Sequence, residues 1–108
     1  MHSSQTPNGE ETFLDHVGWF VSDIDSVANS LQRLGFILTP FVAQYNASPN
    51  RETPVPAGTG NRCAMLRRGY LEILTAVSGS ETDLARQLRK AVSRYSGIHL
   101  IAFSIDNA

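Results

Sequence analysis

One cysteine, one tryptophan and almost no net charge are what this 108-residue chain offers to any chemistry that needs those features in quantity. Cys63 has no second cysteine with which to close an intrachain disulfide, and one cysteine with three histidines cannot make zinc-finger spacing. Disulfide scaffolds and finger folds are therefore excluded, and a reducing, cytoplasmic compartment is expected. Nine basic residues against ten acidic ones leave a formal charge of -1, so no basic field exists to hold nucleic acid or an acidic membrane surface. The one local cluster, Arg86, Arg89, Lys90 and Arg94, is too small for a nucleic-acid stripe and reads as a solvated helix face. Nowhere do about 18 apolar residues run together, and the polar start has no leader-like apolar stretch. What remains is 42% hydrophobic content in one domain's length, enough for a modest core.

The pattern along the chain predicts an α+β order of strand, helix, three strands, helix and strand. Residues 1–12 are polar and read as a flexible arm. Residues 13–21 are nearly all apolar and too short for a good helix, which predicts a buried strand. Ser22, Asp23 and Asp25 supply cap-type side chains. Val27, Ala28, Leu31 and Leu34 then recur at helical spacing until Gly35. Residues 36–44 alternate loosely around Pro40 and predict a second strand near an edge or bend. Residues 45–60 carry three prolines and two glycines and read as a long excursion, either a ligand-contacting lid or plain loop. Residues 61–66 and 70–77 form a hairpin turning at Gly69. Leu84, Leu88, Ala91, Val92 and Tyr95 make the apolar face of a second helix that ends at Gly97, and residues 98–105 are a last strand.

Part of this order repeats. Residues 83 apart match at His16 and His99, Phe20 and Phe103, and Asp23 and Asp106, each set at a strand running into a helix cap. Residues 13–97 thus read as one module and residues 98–108 as the first strand of a truncated second one.

Alternation along the strands places chemistry on one face. Leu14, His16, Gly18 and Phe20 share a face of the first strand, and Tyr70, Glu72, Leu74 and Ala76 share one of the fourth. An imidazole and a carboxylate brought together there suit a divalent metal with positions left open, or else a buried histidine hydrogen-bonded to an acid. Gly18 would leave room for a ligand, and Phe20 would line the site. Asn61 and Arg62 could hydrogen-bond a ligand carboxylate or carbonyl, or simply sit exposed beside a turn. Gly58-Thr59-Gly60 is no phosphate loop, because no Lys-Ser or Lys-Thr follows. Cys63 reads as packing.

Leu14-Asp15-His16-Val17-Gly18, Leu34-Gly35-Phe36, Gly58-Thr59-Gly60-Asn61-Arg62-Cys63, Gly69-Tyr70-Leu71-Glu72-Ile73-Leu74 and Gly97-Ile98-His99-Leu100 together resemble the glyoxalase-like branch of the vicinal oxygen chelate superfamily. The resemblance covers about residues 13–108. It implies a βαβββ module, paired with another across an open cup that holds a divalent metal such as Zn, Ni, Mn or Fe. Carried over by position, His16 and Glu72 would be metal ligands of this module and His99 a ligand of the next. Glu72 would also move a proton, and Phe20, Asn61, Arg62 and Tyr70 would contact the small-molecule ligand.

The activity so implied is lyase, isomerase or dioxygenase-type chemistry on a small oxygenated substrate. The other reading is a metal-free drug-binding module of the bleomycin-resistance type. The sequence departs from the family pattern by lacking the fourth strand of a second module and a Phe-Tyr pair in the first helix, which speaks against glyoxalase I activity itself. A ferredoxin-like dimeric barrel would need two strands between its helices, and three are counted here. An isolated module would expose the edge its partner covers, so a homodimer or pairing with a second module is expected.

Overall fold

Helix caps and glycines locate most of the boundaries. The computed structural model describes residues 9, 11–46 and 53–105. Its elements run β1 (Thr12–Phe20), α1 (Ile24–Arg33), β2 (Val42–Asn46), β3 (Val55–Met65), β4 (Tyr70–Ala76), α2 (Asp83–Arg94) and β5 (Gly97–Ile105). This is the α+β order expected from the sequence. The N-terminal arm lies largely outside the described residues, but Thr12 at its end is already strand. Asp106, Asn107 and Ala108, the expected truncated cap, lie outside them as well.

Asp23 caps α1 by accepting from the Ser26 amide at 3.1 Å. Ile24, Ala28 and Leu31 make its buried stripe. Leu34, expected on that stripe, is 76% exposed, because it is the C-cap residue just before the left-handed turn at Gly35. Thr82 caps α2. Its hydroxyl accepts from the Ala85 amide at 3.1 Å and donates to the Ala57 carbonyl at 2.7 Å, tying the helix start to β3. The buried face of α2 is Ala85, Leu88 and Ala91; Leu84, expected on it, is rotated toward solvent, and Tyr95, also expected on it, lies past the helix end as its extended C-cap.

The five strands form one sheet in the order β2-β3-β4-β1-β5. β1 runs parallel to β4, pairing His16 with Tyr70 and Gly18 with Glu72, and antiparallel to β5. The core lies between the sheet and the helices: Val21, Ile24, Leu31 and Ile73, with Trp19, Val27, Leu38 and Leu71 packed against it. Trp19, Leu71 and Ile73 face the core, so His16, Gly18, Tyr70 and Glu72, at the alternate positions, face the other side.

Two expectations about the middle of the chain are corrected. The second strand starts at Val42 rather than near Phe36, because Pro40 has no N–H for a ladder. Before it, only Leu38 makes an isolated bridge, to Ala64. The long excursion is also shorter than expected, since Val55–Gly60 is the first half of β3. Gly58 adopts φ +86 there, and a Cβ on it would lie 2.2 Å from the Thr82 hydroxyl oxygen, so a glycine that resembled a breaker is the seat of α2. A lid at residues 47–52 falls outside the described residues.

Candidate functional site

On the side of the sheet away from the helices, β1, β4 and β3 gather Asp15, His16, Glu72 and Asn61. The Nδ1–H of His16 donates to Asp15 Oδ1 at 2.8 Å. His16 Nε2 faces Glu72 Oε1 at 3.7 Å. Glu72 Oε2 accepts from Asn61 Nδ2 at 2.6 Å. The Tyr70 ring lies flat on the imidazole, with centroids 4.5 Å apart and planes 9° apart. The His16 and Glu72 side chains keep only 18% and 13% of their exposure, so both are substantially withdrawn from water.

Neighbouring charges and burial act on the two other titratable groups here. Burial pushes the Tyr70 phenol above its ordinary value, helped by the charges of Asp15 and Glu72. Burial also raises the Cys63 thiol, and the Glu72 charge adds to this, while a hydrogen bond with Thr39 opposes it. Cys63 pairs with Glu72 across β3 and β4, so it belongs to this face.

The donor set fits half of a metal site. A neutral imidazole whose Nδ1–H is given to Asp15 presents a bare lone pair at Nε2. His16 Nε2, the ring nitrogen not bonded to Asp15, and Glu72 Oε1 face each other at 3.7 Å, a nitrogen and an oxygen donor that a cation would bridge. Ligands of a tetrahedral ion at the usual bond lengths sit about 3.4 Å apart, close to the separation seen here. Outer partners on both ligands, Asp15 on His16 and Asn61 on Glu72, are what metal-ligating side chains ordinarily have. Among the described residues, no group of three or more His, Cys, Asp or Glu is gathered to complete the shell.

Not every expected site residue arrives here. His99 pairs near the Gly18 to Phe20 end of β1, whereas His16 lies opposite Ala102, which separates the two histidines by about 10 Å along the sheet. The His99 ring is sandwiched between Phe20 (5.0 Å) and Tyr95 (3.9 Å), and its Nε2–H donates to the Tyr95 carbonyl at 2.9 Å. Phe20 is therefore part of an aromatic stack at one end of the face. Arg62 pairs with core residue Ile73, so it lies on the helix side, and its Nε donates to the Thr39 carbonyl at 2.9 Å. Strand alternation already forbids adjacent Asn61 and Arg62 from facing one ligand together. Asn61 does lie on the expected face, where its amide is bound to Glu72. The space beside Gly18 is also taken, because a Cβ there would stand 3.0 Å from Leu100 Cβ on β5.

Asp15 was missed by the sequence reading. Strict alternation points it away from His16, and only the irregular pairing of β1 with β5 turns it back.

A βαβββ module with a histidine on its first strand and a glutamate on its fourth, facing one side of the sheet, defines a half-cup of the vicinal oxygen chelate type. The chain belongs to the glyoxalase-like domain family, whose model matches residues 14–108. No curated protein and no solved structure matches it.

Proposed function

We propose that this module supplies half of a divalent-metal site, with His16 Nε2 and Glu72 Oε1 as ligands, in an enzyme acting on a small substrate with neighbouring oxygens. The observation that carries this reading is His16 Nε2 facing a partly buried Glu72 carboxylate oxygen at 3.7 Å, each ligand held by its own outer partner. Bound there, the metal would polarise a substrate oxygen and stabilise developing negative charge, as lyase, isomerase and dioxygenase chemistry on such substrates requires. Glu72, half-fixed by Asn61, would serve as the base that takes a proton from a ligand on this face when Oε1 is released from the metal. Tyr70 holds the imidazole plane and keeps its own phenol neutral.

The remaining ligands would come from a second module, in a homodimer or in a two-module assembly. Leu100, Ile101, Phe103 and Ile105 on β5, an edge strand, are 40 to 67% exposed, which is the apolar surface such pairing would cover. A monodisperse monomer in light scattering would sink the pairing. No helix among the described residues is long and apolar enough to cross a membrane, and a free Cys63 fits a cytoplasmic setting.

Elemental analysis of the purified protein after loading with Zn, Ni, Mn or Fe tests the metal reading. Near-stoichiometric metal, lost in His16→Ala and in Glu72→Gln, is expected. A second reading, metal-free binding of a flat or drug-like molecule, is favoured by the stack of Phe20, His99 and Tyr95 and by the engagement of His99 Nε2 with a backbone carbonyl. Ligand affinity that survives in His16→Ala, with no metal retained by any sample, would establish that reading instead.

A further inference from the structure

The pairing of β1 with β5 contains an extra residue. Leu14 lies opposite Phe103 and His16 opposite Ala102, so two consecutive positions of β5 face three of β1, and Asp15 is left over. This is a β-bulge, a device that re-aims a side chain. Its effect here is to bring the Asp15 carboxylate to the ring of the next residue, 2.8 Å from His16 Nδ1, a contact that regular strand geometry would not allow.

The bulge is clamped from the other side. Gly69, at φ +78, lies so close that a Cβ on it would come 2.5 Å from the Asp15 carbonyl oxygen. Tyr70, the next residue, stacks on the imidazole and restrains its plane. An ionised carboxylate can only accept, so the proton it receives must be on Nδ1.

We infer that the Asp15 bulge is a positioning device that holds neutral His16 as its Nδ1–H tautomer and delivers a bare Nε2 to the open face beside Glu72. Asp15 acts through His16 and touches no ligand itself. Its value to a metal rests on the function proposed above, whereas the tautomer it imposes does not.

Long-range proton–nitrogen correlation spectra of metal-free protein carrying nitrogen-15 histidine read the tautomer directly. They would be taken about two pH units above the ordinary imidazole value of about 6.5, with His16 signals assigned from His16→Gln. The wild type should show the proton on Nδ1 of His16. Asp15→Ala should release it to a tautomer mixture with substantial Nε2–H. Asp15→Asn, whose amide oxygen still accepts, should retain Nδ1–H. The His99 signals, set by a separate bond to the Tyr95 carbonyl, should stay unchanged in both variants and so report an intact fold.

Zinc affinity of the same samples, by chelator competition, should fall about 10- to 100-fold in Asp15→Ala and less in Asp15→Asn. A wild-type His16 protonated on Nε2, singly or together with Nδ1, would overturn the inference. So would a tautomer indifferent to Asp15→Ala while the His99 signals hold. The expected tautomer shift with no zinc bound by any sample would uphold the positioning role and overturn the metal reading alone.

Discussion

His16 and His99 match at an 83-residue offset in the sequence, yet the fold gives them opposite employment. His16 donates from Nδ1 to a carboxylate and turns Nε2 toward an acid on the open face. His99 donates from Nε2 to a backbone carbonyl and has its ring faces covered by Phe20 and Tyr95. The difference lies in the neighbouring strand. β4 lies beside β1 and carries Tyr70 and Glu72 to His16, whereas β5 is the sheet edge and, among the described residues, receives no acid from a further strand. Equivalent positions in a repeat therefore carry equivalent chemistry only when their neighbours repeat too.

The largest expected effect separates the two sites through the backbone. Gly69→Val should cost about 1–3 kcal/mol from strain at positive φ alone, with the clash against Asp15 adding to it. Denaturant melts would measure the loss. Spectra of the folded fraction should show His16 disturbed and His99 untouched, and equal disturbance of both would erase the contrast. Next in size, Tyr95→Leu removes one ring from the His99 sandwich and should cost about 0.5–1.5 kcal/mol, leaving the His16 tautomer and any zinc affinity unchanged. A loss of zinc affinity in Tyr95→Leu would join the two sites.

The smallest effect is a titration. The Cys63 thiol is raised first by burial and then by the Glu72 charge, so in metal-free Glu72→Gln its alkylation rate should reach half-maximum at a lower pH than in the wild type. The sign follows from removing a negative charge that disfavours the thiolate. Alkylation profiles that coincide would show that Glu72 does not act on this group. The parallel profile in His99→Ala should not move.

Much of this was legible beforehand, for local reasons. Asp23 is a cap side chain that bonds the amide three residues on, so the start of α1 was marked by its own sequence. The second helix, α2, was marked by its apolar spacing, while its cap Thr82 shows only in the structure. The shared face of His16, Gly18, Tyr70 and Glu72 followed from alternation, a property of each strand alone. Val55–Gly60 was misread because Pro56, Gly58 and Gly60 imitate a loop. Pro56 lies beyond Thr59, the last β3 residue paired with β4, and Gly58 is required by a helix that packs on it from far along the chain. Arg62 could have been excluded from the ligand face by the same alternation that placed Asn61 on it.

The sequence by itself determined the order of elements, the caps, and the placing of one imidazole and one carboxylate on a common strand face, because each depends on spacing within a few residues. The tertiary structure alone decided that Asp15 bulges onto His16, that Leu100 fills the space beside Gly18, and that His99 is bound by Tyr95 rather than gathered with His16 and Glu72. These outcomes depend on the register between β1 and β5, whose paired residues lie more than 70 positions apart. No local pattern encodes a register across such a distance, and a shift of one residue in it re-aims every side chain that follows.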